Sequence, residues 1–200
     1  LSTEPELARR QYERLIDEYP RHGLEKRAKR GIAEADLAIE LETVQGLLND
    51  GSYCTSPKAY RGARAAGGRG LQRAVFLGND ESRKNLPDSW LTHDAPDAVL
   101  VICAGKTKDG SVARRCPYTY GNGRRATVSF RNKRVHVRAY ELRTGKLVAN
   151  TDVEIRGESC PPLISYFREI DDPDVGPPRK RSVESSRADY RRAYRFLIDP

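Results

Sequence analysis

Three side chains of the types used in acyl transfer, Ser129, His136 and Asp152, stand on successive stretches of alternating apolar and polar residues. With a two-residue turn at Asn132 and Lys133 and a three-residue loop holding Gly145 in the left-handed conformation, the cross-strand register puts all three in one row. Acyl transfer needs a nucleophile at a sharp turn or exposed loop, a base oriented by a buried acid, and backbone amides aimed at the developing oxyanion. Mid-strand residues offer none of these, because the amides beside Ser129 point sideways into the ladder. The row is therefore expected to be ordinary cross-strand pairing and the protein to have no enzymatic activity.

The four cysteines, Cys54, Cys103, Cys116 and Cys160, include no Cys-x-x-Cys pair and no histidine at ligand spacing, which argues against structural zinc and against a thioredoxin-like motif. An even count in a loop-rich chain favours disulfides and an oxidising compartment. Cys103 and Cys116 fall on what read as consecutive strands around Asp109 and Gly110, so the expected pairs are Cys103 with Cys116 and Cys54 with Cys160. Asp171, Asp172 and Asp174 lack the glycine and distant glutamate of a calcium loop. The glycine-rich run Arg61–Gly70 lacks the strand-to-helix context of a phosphate-cradling loop and has no interleaved aromatics, so it reads as a flexible loop. No metal and no cofactor is expected.

Positioning these residues requires a fold, and composition bounds it. The chain has 200 residues, 38% apolar and 32% charged, with 16 glycines, 12 prolines and a net charge of +8. That length can bury one ordinary core. Residues 99–160 hold thirteen basic and five acidic side chains, so the whole excess of positive charge sits there. Such a segment attracts an acidic partner, either an unknown protein or an anionic envelope polymer; nucleic acid is the rival. No run approaches eighteen apolar residues, the longest candidate being Ala98–Ala104, so no membrane-spanning helix is expected. The chain contains no Met and opens at Leu1, as a fragment or processed form would, and any membrane anchoring would come from sequence upstream.

Thr3, Pro5 and Glu6 form a helix start, and Ala8, Tyr12, Leu15, Ile16 and Tyr19 recur at three- and four-residue steps before Pro20 and Gly23. A second helix is expected from Leu24 to Leu48, with Leu24, Ala28, Ile32, Ala35, Ile39 and Leu47 inward and Asn49, Asp50 and Gly51 ending it. Residues 52–97 show no sustained period. Five strands follow: Ala98–Ala104, Arg114–Tyr120, and runs alternating at Ala126, Val128 and Phe130, at Val135, Val137 and Ala139, and at Ala149, Thr151, Val153 and Ile155. Trp90 reads as core. Ser186 starts a last helix with Tyr190, Ala193, Tyr194 and Leu197 inward.

The run YERLIDEYPRHGLEKRAKRGIAEADLA, Tyr12 to Ala38, resembles one tetratricopeptide unit of bacterial envelope proteins, though no second copy appears at a 34-residue period. The segments VLVICAGKTKDGSVARRCPYTYGNGRRATVSF and VHVRAYELRTGKLVANTDVEIRGESCPP resemble small extracytoplasmic modules in membrane-anchored proteins of high-GC Gram-positive bacteria. That resemblance implies an extracytoplasmic location and a disulfide-bonded fold, and names no ligand.

The sequence thus predicts an α+β protein: a tetratricopeptide-like helical hairpin over 1–50, a loop-rich connector over 51–97, and over 98–200 a five-stranded antiparallel β-meander with a short C-terminal helix. The expected function is a non-enzymatic extracytoplasmic binding or scaffold module. Its partner would meet Arg125, Arg131, Arg134, Arg138 and the exposed aromatic Tyr140 on the outer face of the sheet.

Overall fold

A computed structural model describes residues 4–20, 23–67, 71–121, 123–166 and 176–199. The cap at Thr3 and the aspartates Asp171, Asp172 and Asp174 lie outside those residues. The fold is α+β. Helices α1 (Glu4–Glu18) and α2 (Glu25–Asn49) come first, then β1 (Ala74–Gly78), α3 (Asp80–Asn85), β2 (Leu100–Tyr120), β3 (Arg124–Glu141), β4 (Lys146–Ile155), β5 (Lys180–Ser182) and α4 (Arg187–Ile198).

The sheet is mixed, in the order β1-β2-β3-β4 with β5 added parallel to β3. β1 also runs parallel to β2: the amide of Val99 donates to Arg73 O at one end, while Gly78 lies against Ala104 O at the other. Parallel neighbours need a crossover, and residues 79–99, which hold α3, supply it.

The expected five-stranded antiparallel meander is corrected in two respects. What read as two pairs of short strands are two long ones, β2 of 21 residues and β3 of 18, with no turn at Asn132 and Lys133. The physical reason is a change of parity within β3. Val128, Phe130 and Asn132 are buried at even numbers, then Val135, Val137 and Ala139 at odd ones. A two-residue turn and a switch of buried parity inside one strand write the same apolar pattern. In addition, β1 and β5 lie in stretches too short to show a period. The left-handed Gly145 is present at φ +67°, its amide donating to Glu141 O across a four-residue turn.

The cysteine pairing is also corrected. The disulfides are Cys54–Cys103 and Cys116–Cys160, with Cα separations of 5.7 and 5.4 Å. Cys103 and Cys116 belong to the single strand β2, and an extended strand carries residues thirteen apart far beyond bridging distance.

The chain forms two compact units that interleave in sequence. The first comprises Leu1–Leu77, Ser89–Cys103 and Ala139–Val148. α1 pairs with α2 and buries no residue fully; Gly31 of α2 lets the Tyr12 ring lie where a Cβ would be. Farther along α2, Val44 and Leu48 join Tyr53, Tyr60, Val101 and Leu142 in a core closed by the Cys54–Cys103 bond. Val99 to Ala104 are buried without alternation, the pattern of a strand covered on both faces. Arg61, at the start of the glycine-rich run, is held by the Glu40 carboxylate at 2.6 Å.

The second unit comprises Gly78–Asp88, Ala104–Arg138 and Ala149–Pro200. Its C-terminal helix starts as the sequence indicates, with Ser186 and Asp189 forming a reciprocal capping box. Tyr190, Tyr194, Leu197 and Ile198 face inward and Ala193 is half-buried. A smaller core gathers Cys116, Val128, Phe130 and Val183, with Tyr118, Cys160 and Ile164 at its edge.

Candidate functional site

In the second unit the core against which β2, β3 and β5 pack fixes which side chains point away from it. On β3 Val128 and Phe130 are inward, so Arg125, Thr127 and Ser129 project from the opposite face. On β2 Cys116 and Tyr118 are inward, leaving Arg115, Pro117 and Thr119 outward. The pairing of Phe130 with Arg181 and of Ser129 with Lys180, with Val183 inward, sends Lys180 and Ser182 to that same outward face. Three adjacent strands therefore present Arg115, Arg125 and Lys180 together with hydroxyls from Thr119, Thr127, Ser129 and Ser182. All are exposed except half-buried Ser129. The same parity places Glu184 beyond Ser182, where it forms a backbone bridge with Glu158 and ends the face.

Of the residues expected to bind a partner, Arg125 alone lies on this face with its side chain exposed. Arg131 is half-buried, its guanidinium reaching across to donate to Gly110 O at 3.1 Å. Arg134 is exposed and stands 3.9 Å from Asp152, while Arg138 is half-buried. Both stand at even positions, as Val128 and Phe130 do, so strand alternation puts them on the face opposite to Arg125. The exposed position expected for Tyr140 is corrected: the side chain is 7% accessible and meets Tyr53 edge-on, with ring centroids 6.1 Å apart. Its stretch of sheet belongs to the first unit, where both faces are covered, and that covering comes from residues distant in sequence.

His136 and Asp152 are cross-strand neighbours at 2.9 Å, as the register indicates. Ser129 lies seven residues from His136 on the same strand, and its amide is engaged with Arg179 O.

Two polar clusters escaped the sequence reading. Glu81 of α3 accepts from Lys133 Nζ at 2.6 Å, from Tyr190 Oη at 2.8 Å and from Thr107 Oγ1 at 3.3 Å. The lysine hydrogen bond holds this carboxylate below the usual range against the opposing effect of burial. Burial, then Glu81 itself, pushes the Tyr190 phenol well above its ordinary value, so it remains a donor. Tyr194, raised to about 12 mainly by burial, donates to Ser82. In the other cluster, Glu154 accepts from the amide and hydroxyl of Ser111 and from Asn132, and the Ser111 bonds lower its pKa. Asn79, which caps α3 by accepting from Ser82 N, also donates to Gly105 O and Thr107. An asparagine followed by Asp80 and Glu81 is a helix start legible in the sequence.

A groove of about 390 Å³ in the second unit is lined by Tyr118, Tyr120, Pro161, Leu163, Tyr166 and Pro177 beside the Cys116–Cys160 bond. The Tyr118 hydroxyl donates to Pro161 O within it. Among the described residues, no group of three or more histidine, cysteine, aspartate or glutamate side chains is placed to hold a metal ion, and no helix is long and apolar enough to cross a membrane. No protein-family model, curated protein or solved structure matches the chain.

Proposed function

We propose that this protein is a non-enzymatic extracytoplasmic binding or scaffold module that meets an acidic partner through the second unit. The observation that carries this reading is a charge imbalance placed on exposed strand positions. The second unit has 21 basic and 14 acidic side chains against 15 and 14 in the first, and its stretch Ala104–Arg138 has ten basic residues and one acidic, Asp109. Arg115, Arg125 and Lys180 lie on one exposed face, and among the described residues its outward strand positions at 115–119, 125–129 and 180–182 carry no carboxylate before Glu184. Such a face concentrates anions and speeds their encounter. The two disulfides are compatible with an oxidising compartment and support the extracytoplasmic part of the reading.

The test is binding of the purified, oxidised chain to a panel of polyanions at increasing salt. Association that weakens with salt and is lost when Arg115, Arg125 and Lys180 are all changed to Gln is expected. Retention of all cations in solution without any association at low salt would mean that the face is only solvated. Salt-dependent binding of arbitrary duplex or single-stranded DNA, tighter than of other polyanions, favours the nucleic-acid reading.

A further inference from the structure

We propose that the outward face of β2, β3 and β5 in the second unit takes one strand of a linear phosphate polymer with a non-aromatic backbone. This deepens the reading above and rests on it. The chemistry comes from the residue types. Arginine and lysine alternate with serine and threonine hydroxyls, the combination that binds phosphoryl oxygens through charge-assisted and neutral hydrogen bonds. Arg115, Arg125, Thr127, Lys180 and Ser182 are exposed, and no hydrogen bond or ion pair engages their side chains among the described residues.

What the face lacks selects among phosphate-bearing ligands. Its outward positions hold no aromatic ring, so it has no platform on which nucleobases stack; the tyrosines of β2, Tyr118 and Tyr120, have the opposite parity. Among the described residues, no large apolar side chain projects from it to enter a lipid layer. Its width is three strands, about 10 Å at the usual 4.8 Å spacing. Glu184 and Glu158 bound it, and a bilayer pressed on this face would bring those carboxylates toward lipid phosphates. A single flexible chain can follow the strip between Arg115 and Lys180 and avoid them.

Fluorescence anisotropy of the full-length, oxidised chain with labelled inorganic polyphosphate tests this. Single-stranded DNA of matched charge, poly-glutamate and vesicles containing anionic phospholipid serve as competing probes. Three cations engaged on a flexible chain predict a slope of log affinity against log salt of about −2, from about 0.7 counterion per phosphate. Arg115→Gln, Arg125→Gln and Lys180→Gln should each reduce that slope by about 0.7, and the triple variant should abolish the salt-dependent binding. Lys106→Gln with Lys108→Gln, on exposed β2 positions earlier in the strand, should leave binding unchanged. Equal losses from that pair, or tighter binding of DNA than of polyphosphate, overturn the proposal. Binding of poly-glutamate or vesicles in preference to polyphosphate, lost in the triple variant, overturns the phosphate polymer and leaves the acidic-partner function standing. Absence of every interaction overturns both.

Discussion

Lys133 donates to the Glu81 carboxylate at 2.6 Å across 52 positions of sequence, and the hydroxyl of Tyr190 reaches the same oxygen from α4 at 2.8 Å. The lysine also stands 5.8 Å from the centre of the Tyr190 ring. One carboxylate therefore ties the crossover helix, the long strand β3 and the C-terminal helix of the second unit to one another.

Glu81→Gln should lower stability by about 1 kcal/mol at neutral pH, a modest figure because the carboxylate is partly exposed and screened. The pH dependence has a definite sign. The folded carboxylate is held below its unfolded value of 4.5, so its contribution is full above that pH and is lost as pH falls through the folded value. Thermal unfolding of wild type and variant at a series of pH values checks this: the difference should be constant near neutrality and shrink in acid. A difference that grew on acidification would contradict the pairing.

Unreduced, denatured protein should show no alkylatable thiol and four after reduction. Peptide mapping without reductant should recover Cys54 with Cys103 and Cys116 with Cys160. The sequence separations of 49 and 44 residues correspond to about 4 kcal/mol per bond from restriction of the unfolded chain. Recovery of a Cys103–Cys116 peptide would break β2 into two strands.

Tyr53 is fully buried, with its hydroxyl donating to Lys58 O at 2.9 Å and its ring against Tyr140. Tyr53→Ala should cost about 3–5 kcal/mol, as large aromatic truncations in a core do, whereas Tyr53→Phe should cost about 1 kcal/mol for the lost hydrogen bond. Burial pushes the Tyr53 phenol up to about 12, and Tyr190 and Tyr194 are raised as well, so spectroscopic titration should count one fewer tyrosine ionising well above 10 in the Phe variant than in wild type.

Gly78 adopts φ +97°, and a Cβ there would lie 2.1 Å from Ala104 O. Gly78→Ala combines a strained backbone with a collision against a carbonyl that cannot rotate away, and should cost on the order of 3 kcal/mol. Chemical denaturation gives the value, and an effect below 0.5 kcal/mol, on the order of a benign surface change, would show that the strand end relaxes freely.

His136→Ala and Asp152→Ala should each change stability by less than about 1 kcal/mol, because the pair is exposed on both sides. No hydrolysis of an activated ester is expected from the wild type. Activity removed by both Ser129→Ala and His136→Ala in folded protein would restore the triad.

The sequence by itself determined the periodic elements. Three-and-four spacing placed α1 and α2 within a residue or two of their ends, and Ser186 marked the start of α4, because caps and amphipathic stripes are local. The alternation at Val135, Val137, Val153 and Ile155 also placed His136 beside Asp152. Only the tertiary structure decided whether an alternating run turns or continues. The apolar pattern on either side of Asn132 is the same for a hairpin and for one strand that switches its buried parity, and this ambiguity moved the disulfide pairing with it. It likewise decided the fate of Tyr140, since alternation says that a residue faces away from its neighbours but not whether another layer covers that side. Lys180 reached the face of Arg125 through three residues of parallel pairing, a contact too short to leave a period in the sequence, held by backbone hydrogen bonds that are the same whatever the side chains.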